Sequence, residues 1–393
     1  MKLQEQYTAV LEQLTELRKT GNYIEAKELL FTSIMKLELQ KNDSNFSDSV
    51  DTIQYYKARF LSNLSAIHHE TGETKASEDV IKQAIQLANE LTDKKLQAQL
   101  LGLLGISLRR SGNIQQSIEV LRKAVIQLEE IGELQTSNRF KADLSSILFS
   151  LGSLEEALTG FKEVAEYFKS KEMDLEFLHS MSKIASLYDY MGDTESAVET
   201  MKSCLTVQER DEYIPLLVNI YGNLSGLHIQ LHDVENAIFY LEKAKLLQER
   251  SPAGFQNLHL DIHSIDIRNF QNQFDEALQE IASKIPIVEQ KKMYPSLIQL
   301  HLRSASALLG KRNFNEAVVK VKQAEQLALS TSNELYLLDC YDLMSNIAEK
   351  DKKLSIAIEY KQKAIWEAKQ QFNRRLEKQY TQELQILNNL FIS

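Results

Sequence analysis

The chain has little of what most folds use as punctuation. Its 393 residues include two cysteines, four prolines, 13 glycines and one tryptophan. Cys204 and Cys340 form no CxxC and cannot build a disulfide framework, which fits a reducing compartment. So few prolines leave long stretches free of breakers, and abundant Leu, Ala, Gln, Glu and Lys favour helix throughout. Basic charge is also short: 45 Lys and Arg face 55 Asp and Glu, a net charge of -10. That excludes nucleic acid as the expected direct partner, because phosphate binding needs a concentrated basic surface. No apolar run approaches the roughly 20 residues of a membrane helix. The opening MKLQEQYTAVLEQLTELRK is amphipathic and does not read as a signal peptide. A cytoplasmic chain without a membrane partner is expected. Gly-rich phosphate loops, GxSxG and paired-carboxylate motifs are missing as well, so no enzyme and no cofactor are expected.

What the chain does have is a repeat. Gly72, Gly112, Gly152, Gly192, His232, Asn272, Arg312 and Lys352 recur with a fixed period of 40. Five positions after these markers come Ser77, Ser117, Ala157, Ala197, Ala237, Ala277, Ala317 and Ala357, all small. Seven positions before them come Ser65, Gly105, Ser145, Ala185, Ser225, Ile265, Ala305 and Ser345, small in seven of eight copies. An offset copy, TGNYIEAKELL, carries Gly21, which precedes Gly72 by more than one period. Apolar residues recur at helical spacing on both sides of each marker, so a unit reads as helix, turn, helix. The marker glycine permits the left-handed conformation that ends a first helix. The small columns predict two antiparallel helices in close approach.

The expected boundaries follow. Residues 1–40 form a hairpin, 41–52 a polar loop, 53–370 eight 40-residue repeats, and 371–393 a C-terminal capping or coiled-coil helix. No breaker is seen from Leu354 to about Leu390, which predicts one helix of about ten turns. It could cap the last repeat or form a stalk that makes a homodimer. Pro215, Pro252 and Pro295 fall between repeats, whereas Pro286 predicts a kink or early stop in a second helix. The repeat holding Ile265, Asn272 and Pro286 is the most degenerate and predicts a bend or softer joint.

These columns resemble the tetratricopeptide repeat family. The small residue of the first helix (Gly105, Ala185, Ala305), the turns at Gly112, Gly152 and Gly192, and the alanine opening the second helix carry the likeness over roughly residues 10–370. The period of 40 exceeds the usual ~34, and the repeat-end proline is missing. Long periods of this kind resemble those of kinesin light chains and of bacterial maltose-regulator-type and Rap-type peptide-sensing regulators. The resemblance implies an all-α, right-handed superhelical solenoid of about nine repeats. It also implies a non-enzymatic scaffold or regulator binding a protein or peptide on the concave face lined by first helices. The alternative it implies is the sensory region of a bacterial signalling protein acting through the C-terminal helix.

The first helices sort their residues accordingly. The column 13 before the marker is polar in every copy, and the column six before is small or polar in seven of eight. The column eight before is mostly apolar. One face is therefore buried, and the other is either a binding floor or a solvated surface. Asn63 and Asn223 hold equivalent places four repeats apart. In the kinesin light chain and Rap-type relatives, inward asparagines hold a peptide backbone, since an amide donates and accepts at once. The candidate partner-binding residues are Arg59, Asn63, Arg109, Arg139, His179, Lys183, Asn219, Asn223 and Arg303. Acidic residues Asp266, Asp339, Asp342 and Glu349 gather in the second half, which could orient a ligand with unlike ends. His259, His263 and Asp266 share one helix face at metal-ligand spacing, but no fourth ligand is evident and no metal is expected.

Overall fold

A computed structural model describes residues 3–41, 49–250 and 258–392. Among these residues the chain is all helix, without a strand. The helices pair as hairpins: α1 (Leu3–Lys19) with α2 (Tyr23–Lys41), α3 (Val50–Glu70) with α4 (Thr74–Leu91), and α5 (Lys94–Arg110) with α6 (Ile114–Glu130). Then come α7 (Leu134–Ser150) with α8 (Leu154–Ser170), α9 (Asp174–Met191) with α10 (Thr194–Cys204), and α11 (Ile214–Gln230) with α12 (Val234–Glu249). The series continues with α13 (Leu258–Phe270) and α14 (Phe274–Gln290), α15 (Tyr294–Gly310) and α16 (Phe314–Ser330), and α17 (Leu337–Lys350) and α18 (Leu354–Gln370), and ends in α19 (Arg374–Ile392). Nine hairpins match the nine expected repeats. They divide into two compact units, Met1–Tyr167 and Phe168–Ser393.

The small columns do what their size predicts. Ser65 Oγ donates to Ser77 O at 3.0 Å, Ser225 Oγ to Ala237 O at 2.8 Å, and Ser345 Oγ to Ala357 O at 2.8 Å. In the second copy the donor is reversed, from Ser117 Oγ to Gly105 O at 2.6 Å. A Cβ on Gly105 would lie 2.5 Å from Leu121 Cγ, so that crossing admits no side chain. Where Ile265 replaces the small residue, α13 and α14 pack less closely than α11 and α12 or α15 and α16. Leu61, Ile81 and Leu100 in the first unit, and Leu302, Val321 and Ile347 in the second, fill the layers between hairpins. Each such buried aliphatic side chain contributes roughly 1.5–3 kcal/mol.

The turns obey a stricter rule than the sequence reading allowed. All fifteen positive-φ residues among those described fall in two columns. Nine are the markers, Gly21 through Lys352, including His232 (φ 58°), Asn272, Arg312 and Lys352. The other six are Thr92, Gly132, Glu172, Lys292, Ser332 and Phe372, each half a period after a marker. At both columns the following N–H reaches back across the last helical turn, as in Asn113 N to Leu108 O (2.9 Å) and Asn373 N to Ala368 O (2.9 Å). This closes the helix ends with left-handed caps. Marker glycines such as Gly72 and Gly112 have open space where a Cβ would sit, so their requirement is conformational, not steric.

Three expectations are corrected, the first of them by this second column. The single helix from Leu354 to Leu390 is broken at Phe372 (φ 55°), the equivalent of Gly132. Asn373 Oδ1 then accepts from Leu376 N at 3.1 Å and starts α19. α19 folds back and buries Tyr380 and Leu387 against the preceding helices, so it caps and does not project as a stalk. Pro286 neither stops nor shortens α14, which continues to Gln290. The expected loop at 41–52 is narrower: Lys41 ends α2 and α3 is under way by Val50. Residues 42–48, and Pro252, lie outside the described residues. Pro215 and Pro295 occupy the first turns of α11 and α15, where a missing N–H costs nothing.

Candidate functional site

Within each unit, the first helices of successive hairpins touch one another: α3 with α5 and α7 with α5 in the first unit, and α9, α11, α13, α15 and α17 in series in the second. First helices therefore line the inner side of each unit's curve. Their faces divide as expected. Seven residues of the column eight before the marker are buried, Leu104 being partly so, and every residue of the column six before is half-buried.

In the first unit the candidate cation Arg59 is engaged by its own fold. Its Nε donates to Tyr7 Oη at 3.1 Å, and its guanidinium lies over the Tyr7 ring, 5.7 Å from the centroid. Asn63 Nδ2 donates to Arg59 O at 2.9 Å, so that amide serves its own helix. Arg109 is half-buried on α5, and Arg139 is exposed on α7. Burial raises the Asp143 carboxyl above its usual range, and Arg109 partly opposes this.

The second unit gathers the other five candidates: His179 and Lys183 on α9, Asn219 and Asn223 on α11, and Arg303 on α15. The first four are exposed. Desolvation, aided by Lys183, lowers the His179 imidazole below its usual value. Asn223 lines a cleft of about 220 Å³ together with Ser186, Asp189, Tyr190, Gly226, Gln230 and His263. Gly226 forms its floor, and a Cβ there would come within 2.9 Å of the His263 ring. Hydroxyl, carboxylate, amide and imidazole groups thus converge on a strip without bulk.

Arg303 is not free for a ligand in this state. Its Nε and Nη2 each lie 3.1 Å from an Asp266 oxygen in a two-pronged pair. Burial works against the guanidinium, and Asp266 more than offsets it. The same pair engages one of the three residues at metal-ligand spacing, His259, His263 and Asp266. The carboxylate is committed to Arg303, and burial lowers His263 to about 4. Among the described residues no group of three or more His, Cys, Asp or Glu could hold a metal ion.

Sequence reasoning missed the group beside them. Lys361 on α18 is 1% exposed and pairs with Asp342 of α17 and Glu383 of α19. Its ammonium lies 4.8 Å from the centroid of the Tyr380 ring. The signal was present: nine positions after the markers stand Ile81, Leu121, Phe161, Met201, Leu241, Ile281 and Val321, all buried, and then Lys361. Asp339 stands next to this group. It is open to water on its own helix but ringed by protein, and desolvation raises it to about 6. Asp342 and Asp266 push the same way, while Arg303 and Arg375 oppose.

His68 and His228, each four positions before a marker, have a structural role. Their Nδ1 atoms face Glu73 Oε2 (2.5 Å) and Asp233 Oδ2 (3.0 Å), bracing equivalent turns.

The repeats are of the tetratricopeptide type. Residues 218–250 match the tetratricopeptide repeat model, and residues 73–206 match that of soluble NSF attachment protein. No curated protein sequence matches the chain significantly. Among solved structures, a Rap protein complexed with competence and sporulation factor is similar at TM-score 0.59 and 16% identity, covering 94% of this chain and 99% of that one. Aspartyl phosphate phosphatase F from Bacillus subtilis is similar at 0.58 and 17%, covering 82% and 83%. The apo quorum sensor NprR from B. thuringiensis is similar at 0.54 and 14%, covering 98% and 99%. Identities this low speak for the fold alone.

Proposed function

We propose that the second unit is a receptor for an extended peptide segment, and that the chain acts as a non-enzymatic scaffold or regulator. The observation that carries this is the cleft at Asn223 and Gly226. An exposed amide that can donate and accept stands in a cleft lined by Gly226 and the His263 ring packed on it, which suits the main chain of a peptide more than a bulky side chain. Ser186 and Gln230 supply further neutral polar groups, and Asp189 supplies a charge at the edge. The likeness in fold to a Rap protein solved with competence and sporulation factor and to a quorum sensor is consistent with a regulatory role of this kind. Lys183, His179 and Asn219 extend the polar face beyond the cleft; Arg59, Asn63, Arg109 and Arg139 belong to the first unit's face.

A displayed library of random heptapeptides selected on the intact chain tests the reading. Enriched peptides should bind Asn223→Ala about tenfold more weakly, the effect of losing one or two hydrogen bonds. Failure to enrich any sequence, or equal binding to Asn223→Ala, would overturn it.

A further inference from the structure

In a solenoid, each repeat contacts only its neighbours. Among the described residues, the second unit departs from that rule where its ends meet. Arg375, in the first turn of α19, lies with Nε 3.3 Å from Asp189 Oδ1, near the end of α9. The backbones meet there too: a Cβ on Gly192, the cap of α9, would sit 3.6 Å from Arg375 Cα. α9 and α19 are the first and last full helices of this unit, so the contact closes the series on itself. The rest of α19 is held from the other side by Lys361, through Glu383 and the Tyr380 ring.

Two details make this contact a poor permanent joint. Arg375 Nε is buried and makes no aligned hydrogen bond, so the pair is charge proximity without the geometry that strengthens such bonds. Asp189 also lines the cleft that holds Asn223, Gly226 and His263. One carboxylate therefore serves both the closure and the candidate ligand site.

We propose that Arg375–Asp189 is an autoinhibitory latch: Arg375 occupies from within the place of a ligand's cationic group, and a peptide carrying lysine or arginine at that position displaces it and frees α19 from α9. This rests on the receptor reading of the cleft. It adds a charge to the ligand and an output to its binding, because displacing Arg375 removes the ion pair between the unit's first and last full helices and leaves their packing at Gly192 without a charge to hold it.

The closure is tested without any ligand. Nitroxide labels at Lys202→Cys on α10 and Lys378→Cys on α19 report the α10–α19 distance by double electron–electron resonance. The native thiols of Cys204 and Cys340 are pushed to about 12 by burial and resist labelling. Intact pairing should give one narrow distribution. Arg375→Ala should lengthen and broaden it, and the exchanged pair Asp189→Arg/Arg375→Asp should restore it. The same narrow distribution in Arg375→Ala would overturn the latch.

The competition is tested by repeating the heptapeptide selection on Arg375→Ala. Lysine or arginine at one position should be enriched about tenfold over the selection on the intact chain, and the preference should vanish in Arg375→Ala/Asp189→Asn. Identical sequences from both selections would overturn the competition and leave the receptor reading standing. No enrichment from either would overturn the receptor and the competition together, while the label distances would still decide the closure.

Discussion

The two units are built from the same hairpin and use its inner face differently. In the first, polar side chains are satisfied between neighbouring helices: Arg59 with Tyr7, Lys141 with Glu129 and Glu163. In the second, charges gather on α13, α15, α17, α18 and α19, with Asp266, Arg303, Asp339, Asp342, Lys361 and Glu383 near one another. A column buried and apolar throughout the first unit admits a lysine in the second. A repeat thus dictates where a side chain points, and its neighbours decide what chemistry can survive there.

Moving the lysine to the other unit should break the comparison most severely. Ile81→Lys places an ammonium at the position of Lys361, with Ser62 and Leu103 where Asp342 and Glu383 stand. A loss of about 4–5 kcal/mol is expected in urea unfolding, enough to unfold the first unit. Retained stability would mean that the column tolerates charge by itself. Lys361→Ala should cost about 3 kcal/mol, through a cavity and two carboxylates left facing each other. Lys361→Leu restores the apolar type and should cost less; if it costs as much as alanine, packing is not part of the lysine's role.

A smaller effect concerns the turns: Arg312→Gly removes the strain of a left-handed arginine (φ 59°) and should add about 1 kcal/mol. A Tm unchanged within error would show that the arginine side chain offsets that strain. The smallest effect comes from the raised carboxyl of Asp339, which sharpens the contrast through pH. Its folded value of about 6 exceeds the ordinary carboxylate value, so the folded state holds the proton more tightly. Its contribution is favourable below the ordinary value and is lost as pH rises through about 6. Because the side chain is exposed, water screens much of this, so Asp339→Asn should raise the melting temperature at pH 7.5 by about one degree, and the gain should disappear near pH 4. A gain independent of pH would point to a neutral cause.

The fold was legible because size and spacing are local signals. Ser65 and Ser77 announce a helix crossing from sequence alone, and their hydrogen bond lies where the columns put it. The second turn column was less legible because its residues share no chemistry. Thr92, Glu172, Lys292 and Phe372 adopt one conformation through position, not type, and the C-terminal helix was read as continuous for that reason. The candidate site was legible as a face and not as a set of contacts. Asn223 does line a cleft, but Arg303 is held by Asp266 from the preceding hairpin, and Asp189 by Arg375 at the other end of the unit. Pairings over such separations follow from how far the hairpins curve, which no column of small residues encodes.

Turns spaced at half a period also restrict how the chain can change length. Deleting one residue inside a helix rotates everything beyond it by about 100° and points the small columns away from each other. From Gly72 to Phe372 the marker turns described keep one register, and the half-period turns keep it too, except between α10 and α11, where no left-handed residue stands. A gain or loss of one full period would keep every column in step; shorter changes can be absorbed only outside the helices. The protein's natural unit of variation is therefore a whole hairpin, and length variants should differ by that quantum or not fold.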